Sequence, residues 1–149
     1  MYRYDMSVQE IMTKSVISVG VQDTLSTVKE IFDNAGFHHL LVVEGEELIG
    51  VVSDRDLLKA ISPNIGTPLE TPDDTLTLEK RVYQIMSTDL IVLTDNACVA
   101  DAVNTFNNHV ISCIPVVDGQ QRPVGIVSWR DILRILPVHR EEVASMAVR

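Results

Sequence analysis

The chain has 149 residues, is 46% apolar and has a mean hydropathy of +0.15, which fits one ordinary domain and excludes a disordered polymer. Its 12 basic and 21 acidic side chains leave a net charge of −9, which argues against non-specific attachment to nucleic acid or to an anionic membrane surface. No apolar run approaches the roughly 20 residues that cross a bilayer, and the opening Met1-Tyr2-Arg3-Tyr4-Asp5 is too polar for a secretory leader. Cys98 and Cys113 stand at no metal-type spacing and build no disulfide framework. A cytoplasmic protein with no membrane insertion and no nucleic-acid partner is expected.

In chain order, a short helical turn ends at Met12 and a brief apolar strand follows over Val16 to Val19. Leu25, Val28, Ile31, Phe32 and Ala35 recur at helical spacing and predict an amphipathic helix. Leu40 to Val43 is a continuous apolar run, as in a strand covered on both faces. Glu44-Gly45-Glu46 turns the chain into a partner strand, Leu48 to Val52, which leads to a second helix over Leu57 to Ile61. Pro63, Gly66, Pro68 and Pro72 punctuate the stretch 62–80 and predict an irregular connector wrapped around one edge. The elements then recur: a turn ending at Met86, a strand from Leu90 to Leu93, and a helix carrying Val99, Ala102, Val103 and Phe106. A strand over Ile114 to Val117, the turn Asp118-Gly119-Gln120, a strand over Val124 to Val127 and a helix over Ile132 to Leu136 complete the series. Pro137 opens a tail, 137–149, in which Arg140-Glu141-Glu142-Val143-Ala144 reads equally well as a short helix or as frayed chain.

This recurrence is a tandem repeat. Val8-Gln9-Glu10-Ile11-Met12 returns as Val82-Tyr83-Gln84-Ile85-Met86 at an offset of 74, where Phe32 also meets Phe106 and Gly45 meets Gly119. One extra residue in the second turn moves the offset to 75, where Gly50 meets Gly125 and Ser53-Asp54-Arg55-Asp56 meets Ser128-Trp129-Arg130-Asp131. The repeats cover 7–61 and 81–136. Each reads β-α-β-β-α and leaves one face of a three-stranded sheet apolar. The expected fold is α+β, with the repeats packed sheet to sheet about a pseudo-twofold axis.

The repeated Ser-x-Arg-Asp admits two readings. At a strand-to-helix junction, Ser53 with Asp56 and Ser128 with Asp131 have the spacing of a capping box, which suits the helix dipole as well. The same carboxylate, at the end of a strand, can accept both hydroxyls of a ribose, with helix amides nearby for a phosphate. Capping leaves the recurrence of Arg55 and Arg130 unexplained. His38-His39 is either hydrogen-bonded surface or part of a site, and since neighbours on a strand point to opposite faces, at most one should face a given cleft. Cys98 is either a thiol acidified at a helix start or a small core residue. Trp129 either covers part of a cleft or packs against the tail. His109 and His139 stand alone.

These motifs resemble CBS (cystathionine beta-synthase) domains in tandem, a Bateman module. The matching residues are Ile11-Met12 and Ile85-Met86, Leu41-Val42-Val43-Glu44 and Pro115-Val116-Val117-Asp118. Strongest are Gly50-Val51-Val52-Ser53-Asp54-Arg55-Asp56-Leu57 and Gly125-Ile126-Val127-Ser128-Trp129-Arg130-Asp131-Ile132. The resemblance implies two clefts between the repeats for adenosine-containing ligands: AMP, ADP, ATP or S-adenosylmethionine. It implies that the closing Asp holds the ribose, that residues before the mid-repeat strand face phosphates, and that apolar residues of the other repeat sandwich the adenine. Carried over, the first cleft takes Val51, Ser53, Arg55, Asp56, His38 and His39, with Leu90, Ile91 and Ile111 from the second repeat. The second takes Ile126, Ser128, Arg130, Asp131, Ser112 and Cys113, with Val16, Ile17 and Phe37 from the first. His38-His39 would make the first cleft the better site for phosphorylated ligands.

Three functions compete: a ligand-sensing regulatory module, a structural dimerisation module with vestigial clefts, and an enzyme. Family members often pair through exposed helices, so a homodimer is expected under either of the first two. No nucleophile–base pair, glycine-rich phosphate loop or metal cluster stands out, so catalysis and a required cofactor are not expected. Sensing is favoured by the Ser and Asp present in both repeats, and a separate regulated protein would read the signal.

Overall fold

The computed structural model describes residues 3–137. The first repeat forms β1 (Ser18–Val19), α1 (Leu25–Ala35), β2 (His39–Glu44), β3 (Glu47–Ser53) and α2 (Asp54–Ala60). A connecting helix, α3 (Pro72–Leu76), precedes β4 (Leu93–Thr94), α4 (Val99–Asn108), β5 (Cys113–Val117), β6 (Pro123–Ser128) and α5 (Trp129–Ile135). Each repeat has its own three-stranded sheet, ordered β1-β2-β3 and β4-β5-β6, with the first pair parallel and the second antiparallel. The α+β architecture with paired three-stranded sheets is thus as the periodicity predicts.

Each sheet has a helix-covered face and a shared one. Leu25 and Val28 of α1 bury completely with Leu40, Val42 and Val52, and Val99 and Ala102 of α4 are buried in the same way in the second repeat. On the other face, Leu41, Leu48 and Val117 are buried in one cluster with Val16, Val51, Leu90 and Ile126 packed around them, which joins the two sheets. Removing this apolar surface from water is the chief term holding the repeats together.

The repeats also exchange their opening turns. Val8, from the turn Val8–Glu10, is fully buried among second-repeat residues such as Ile114 and Val127, while Val82, from Val82–Gln84, is buried in the first-repeat core with Leu25 and Leu40. Backbone pairs fix the exchange: Thr13 with Ile126 at 2.9 and 3.0 Å, and Ser87 with Val51 at 2.9 and 3.0 Å. The close approach explains Gly50 and Gly125. A Cβ on Gly50 would lie 2.9 Å from Met86 Sδ, and one on Gly125 would collide with the Met12 thioether.

Three local expectations are corrected. The opening strands shrink to two residues each, because only Ser18↔Leu41, Val19↔Val42 and their counterparts pair. Helices α2 and α5 begin three residues before Leu57 and Ile132, because Ser53 and Ser128 are their N-caps. The connector is not wholly irregular. Thr71 caps α3, its hydroxyl accepting the Asp74 N–H at 3.3 Å, and Pro72 sits at the first helical position, where its missing N–H costs nothing. The connector also folds on itself, with the Ser62 hydroxyl donating to Asp74 at 2.7 Å and the Ser62 amide to Thr77 Oγ1 at 3.0 Å. The tail segment 140–144 and His139 lie outside the described residues.

Candidate functional site

A cleft of about 880 Å³ opens between the repeats, at the carboxyl ends of β3 and β6 where α2 and α5 begin. That is within the roughly 300–1,000 Å³ typical of small-molecule sites. All nine residues carried over to the first cleft line it: Val51, Ser53, Arg55, Asp56, His38, His39, Leu90, Ile91 and Ile111. Four of those assigned to a separate second cleft, Ser112, Cys113, Ser128 and Arg130, line the same space. Asp131, Ile126, Val16, Ile17 and Phe37 are not on its wall. Val16 and Ile126 pack in the seam between the sheets, and Ile17 packs against the first-repeat core.

The Ser-x-Arg-Asp geometry settles the capping question and leaves room for the other reading. Ser53 Oγ accepts the Asp56 N–H at 3.0 Å, and Asp56 Oδ2 accepts the Ser53 N–H at 2.9 Å. Asp131 Oδ2 likewise accepts the Ser128 N–H at 2.8 Å. Each cap uses one carboxylate oxygen. The other, Oδ1, has no partner on Asp56 among the described residues, whereas on Asp131 it faces the Arg134 guanidinium at 3.7 Å. Asp131 is also the more enclosed, at 8% exposure. Each capping box therefore leaves the second carboxylate oxygen outside the cap, and at Asp131 that oxygen is enclosed with the Arg134 guanidinium nearby.

Both histidines line the cleft, against the expectation that only one would. Strand alternation does not apply, because β2 starts at His39 and His38 precedes it, its carbonyl accepting the Asp54 N–H at 2.9 Å. His38 Nδ1 meets Asp54 Oδ2 at 2.9 Å on an exposed edge. His39 is half-buried, and its Nε2 lies 3.3 Å from Ser112 Oγ of the other repeat. Burial pulls the His39 imidazole below its ordinary range, outweighing the opposing pull of Asp54. Burial also pushes the Cys113 thiol up to about 12, so it stays protonated near neutrality. Arg55 and Arg130 are exposed and have no ion-pair partner among the described residues, so one uncommitted guanidinium comes from each repeat.

The wall further includes Asp54, Ser87, Asp89, Val110, Pro115 and Trp129. Asp54 and Trp129 had a signal, since both occupy the variable position of the repeated motif. Ser87 and Asp89 had none, because they reach the cleft through the exchanged turn. Cys98 caps α4, its amide donating to Asp101 Oδ2 at 2.9 Å, and is absent from the cleft wall.

The CBS domain family model matches residues 8–63 and 82–138. An uncharacterized 33.4 kDa protein in a ribosomal RNA operon of Thermofilum pendens is 29% identical over 133 residues, 89% of this chain and 44% of that protein. A CBS domain-containing protein of Dictyostelium discoideum is 29% identical over 131 residues, 87% of this chain and 90% of its own length. The chain thus spans less than half the length of the Thermofilum relative and of a Methanocaldococcus jannaschii relative, at 44% and 43%. Among solved structures, the CBS domain pair of protein MJ0100 in complex with 5-methylthioadenosine and S-adenosyl-L-methionine superposes with a TM-score of 0.71 at 25% identity. That match covers 87% of this chain and 94% of the other.

Proposed function

The chain belongs to the CBS-domain family, and we propose that it is a regulatory module that binds an adenosine-containing ligand in the cleft between its repeats. The observation that carries this reading is the free Asp56 Oδ1, held at the cleft wall by the cap and flanked by Ser53 and the unpaired Arg55. A fixed carboxylate oxygen is the acceptor a ribose hydroxyl needs, and Arg55 and Arg130 are positioned for an anionic or carboxylate-bearing substituent. Leu90, Ile91 and Ile111 give the cleft an apolar stretch for a base. The 5-methylthioadenosine and S-adenosyl-L-methionine bound by the similar domain pair support the ligand class, with AMP, ADP and ATP the other candidates.

The role in this reading is binding, and burial keeps the cleft thiol of Cys113 protonated, so it offers no thiolate nucleophile near neutrality. The signal arises only if the ligand prefers one mutual arrangement of the repeats over another, which a partner protein then reads. Leu58 and Leu133, at equivalent positions of α2 and α5, are 71% and 52% exposed, which supports homodimerisation through these helices. Sedimentation equilibrium of wild type against the Leu58→Glu, Leu133→Glu double variant tests that: a dimer in the first and a monomer in the second is expected.

Isothermal titration of the chain with AMP, ADP, ATP and S-adenosylmethionine tests the function. Saturable binding by at least one, lost in Asp56→Ala, is the expected result. Loss in Asp131→Ala alone moves the site to the second repeat. No binding by any of the four refutes the sensor and leaves a dimerisation module.

A further inference from the structure

The cleft has two chemically unlike halves. The first repeat contributes His38, His39, Ser53, Asp54, Arg55 and Asp56, with Val51 its one apolar wall residue. The second supplies the apolar Leu90, Ile91, Val110, Ile111, Pro115 and Trp129 as well as polar residues such as Ser87, Asp89 and Arg130. The repeats differ sharply at the variable position of the repeated motif, where Asp54 in one copy corresponds to Trp129 in the other at an offset of 75. Trp129 starts α5 and is 50% exposed, and Val110 is wholly exposed on the same wall. A large aromatic and a β-branched residue left open to water in a polar-rimmed cleft are the residues expected to bury surface when something enters.

Their location fixes what can enter. Cys113 is the ladder partner of Ser128, so Ser112 and Trp129 adjoin at one end of the β5–β6 pair. Ser112 Oγ in turn lies 3.3 Å from His39 of the charged half. The apolar residues of the second repeat are therefore contiguous with the charged ones of the first, joined on this wall by the Ser112–His39 contact and by the Val51–Ser87 backbone pair. A molecule spanning both must carry a flat or apolar group at one end and a polar group at the other.

We propose that Trp129 is a ligand-contacting residue whose indole stacks on the planar base of a ligand whose ribose and 5′ substituent lie toward Asp56, Arg55 and the histidines. This rests on the adenosine-ligand reading above and adds a base-stacking residue to it. Base–aromatic stacking tolerates different bases but requires one, since every base offers a π-face and a bare sugar does not.

The chain's single tryptophan makes the test direct. AMP, ATP and S-adenosylmethionine, with ribose 5-phosphate as a base-free control, are titrated into the full chain while heat and indole emission are followed together. Excitation is on the red edge of the indole band, where adenine does not absorb. The expected result is a binding heat and an emission change with one shared midpoint, and no emission change with ribose 5-phosphate. Trp129→Phe should keep affinity within about threefold, while Trp129→Ala should weaken it about tenfold or more. Binding heat with unchanged emission, or undiminished affinity in Trp129→Ala, overturns the proposal and leaves the adenosine reading standing. An emission change with ribose 5-phosphate equal to that with AMP also overturns it. No heat from any adenosine compound refutes both.

Discussion

The two repeats share a fold and differ in what they present to the cleft. Their cores correspond almost residue for residue, Leu40 with Ile114, Val42 with Val116 and Val52 with Val127, all fully buried. Their cleft residues do not. His38-His39 corresponds to Ser112-Cys113, Asp54 to Trp129, and the accessible Asp56 to the enclosed Asp131 with Arg134 beside it. Packing constrains volume and shape at every core position, so duplicated cores stay alike. A cleft wall exposed to solvent is free to diverge, and the two repeats present different side chains there.

That comparison can be broken at the core first. Leu40→Ala and Ile114→Ala should each cost about 2–5 kcal/mol, because both leave a cavity at a fully buried position. Urea unfolding checks this. A large loss from one and little from the other would mean that the two cores do not carry equal weight.

The hairpins sharpen the comparison at smaller scale. Gly45 has φ +63°, a left-handed conformation, whereas its counterpart Gly119 does not, and the positive φ in the second hairpin falls on Gln121 at 63°. The extra residue has shifted which position bends. Gly45→Ala should therefore cost about 1–2 kcal/mol, and Gly119→Ala should cost nothing or stabilise slightly. Thermal melts of the two variants decide it; equal losses would contradict the backbone assignment.

The smallest effect is a pH difference between His39 and Cys113. Burial depresses the His39 pKa, so the unfolded chain binds its proton more readily than the folded one. The His39 contribution is fully present above the ordinary histidine value of 6.5 and is lost as pH falls through the depressed folded value. Chemical denaturation across mildly acidic pH should show stability falling on acidification, and His39→Gln should flatten that slope. Cys113, pushed to about 12, contributes no slope there. An unchanged slope in His39→Gln would place the titration elsewhere.

Much of this is readable from short-range pattern. The period of α1 and α4, the apolar runs of β2 and β5 and the two Ser-x-Arg-Asp caps are local, because helix periodicity and capping are satisfied within a few residues. The Thr71-Pro72-Asp73-Asp74 helix start was legible too, since Thr with Asp three residues on is the same capping signature, but Pro72 reads more readily as a breaker. Capping and ligand-holding at Asp56 are compatible, which spacing alone leaves undecided: the answer depends on which carboxylate oxygen the cap uses.

By itself, the sequence determined the repeat, its β-α-β-β-α order, and the residue types available for a site, because duplicated motifs and residue chemistry are properties of the chain. Only the tertiary structure decided that Val8 and Val82 bury in each other's repeat, and that Ser87 and Asp89 reach the cleft. It alone also brought residues of both half-sites onto one wall with Trp129 opposite the histidines' repeat. Those placements are contacts between positions far apart in the chain, such as Val8 with Ile114 and Val82 with Leu25, set by apolar surfaces excluding water together, and no local pattern encodes them.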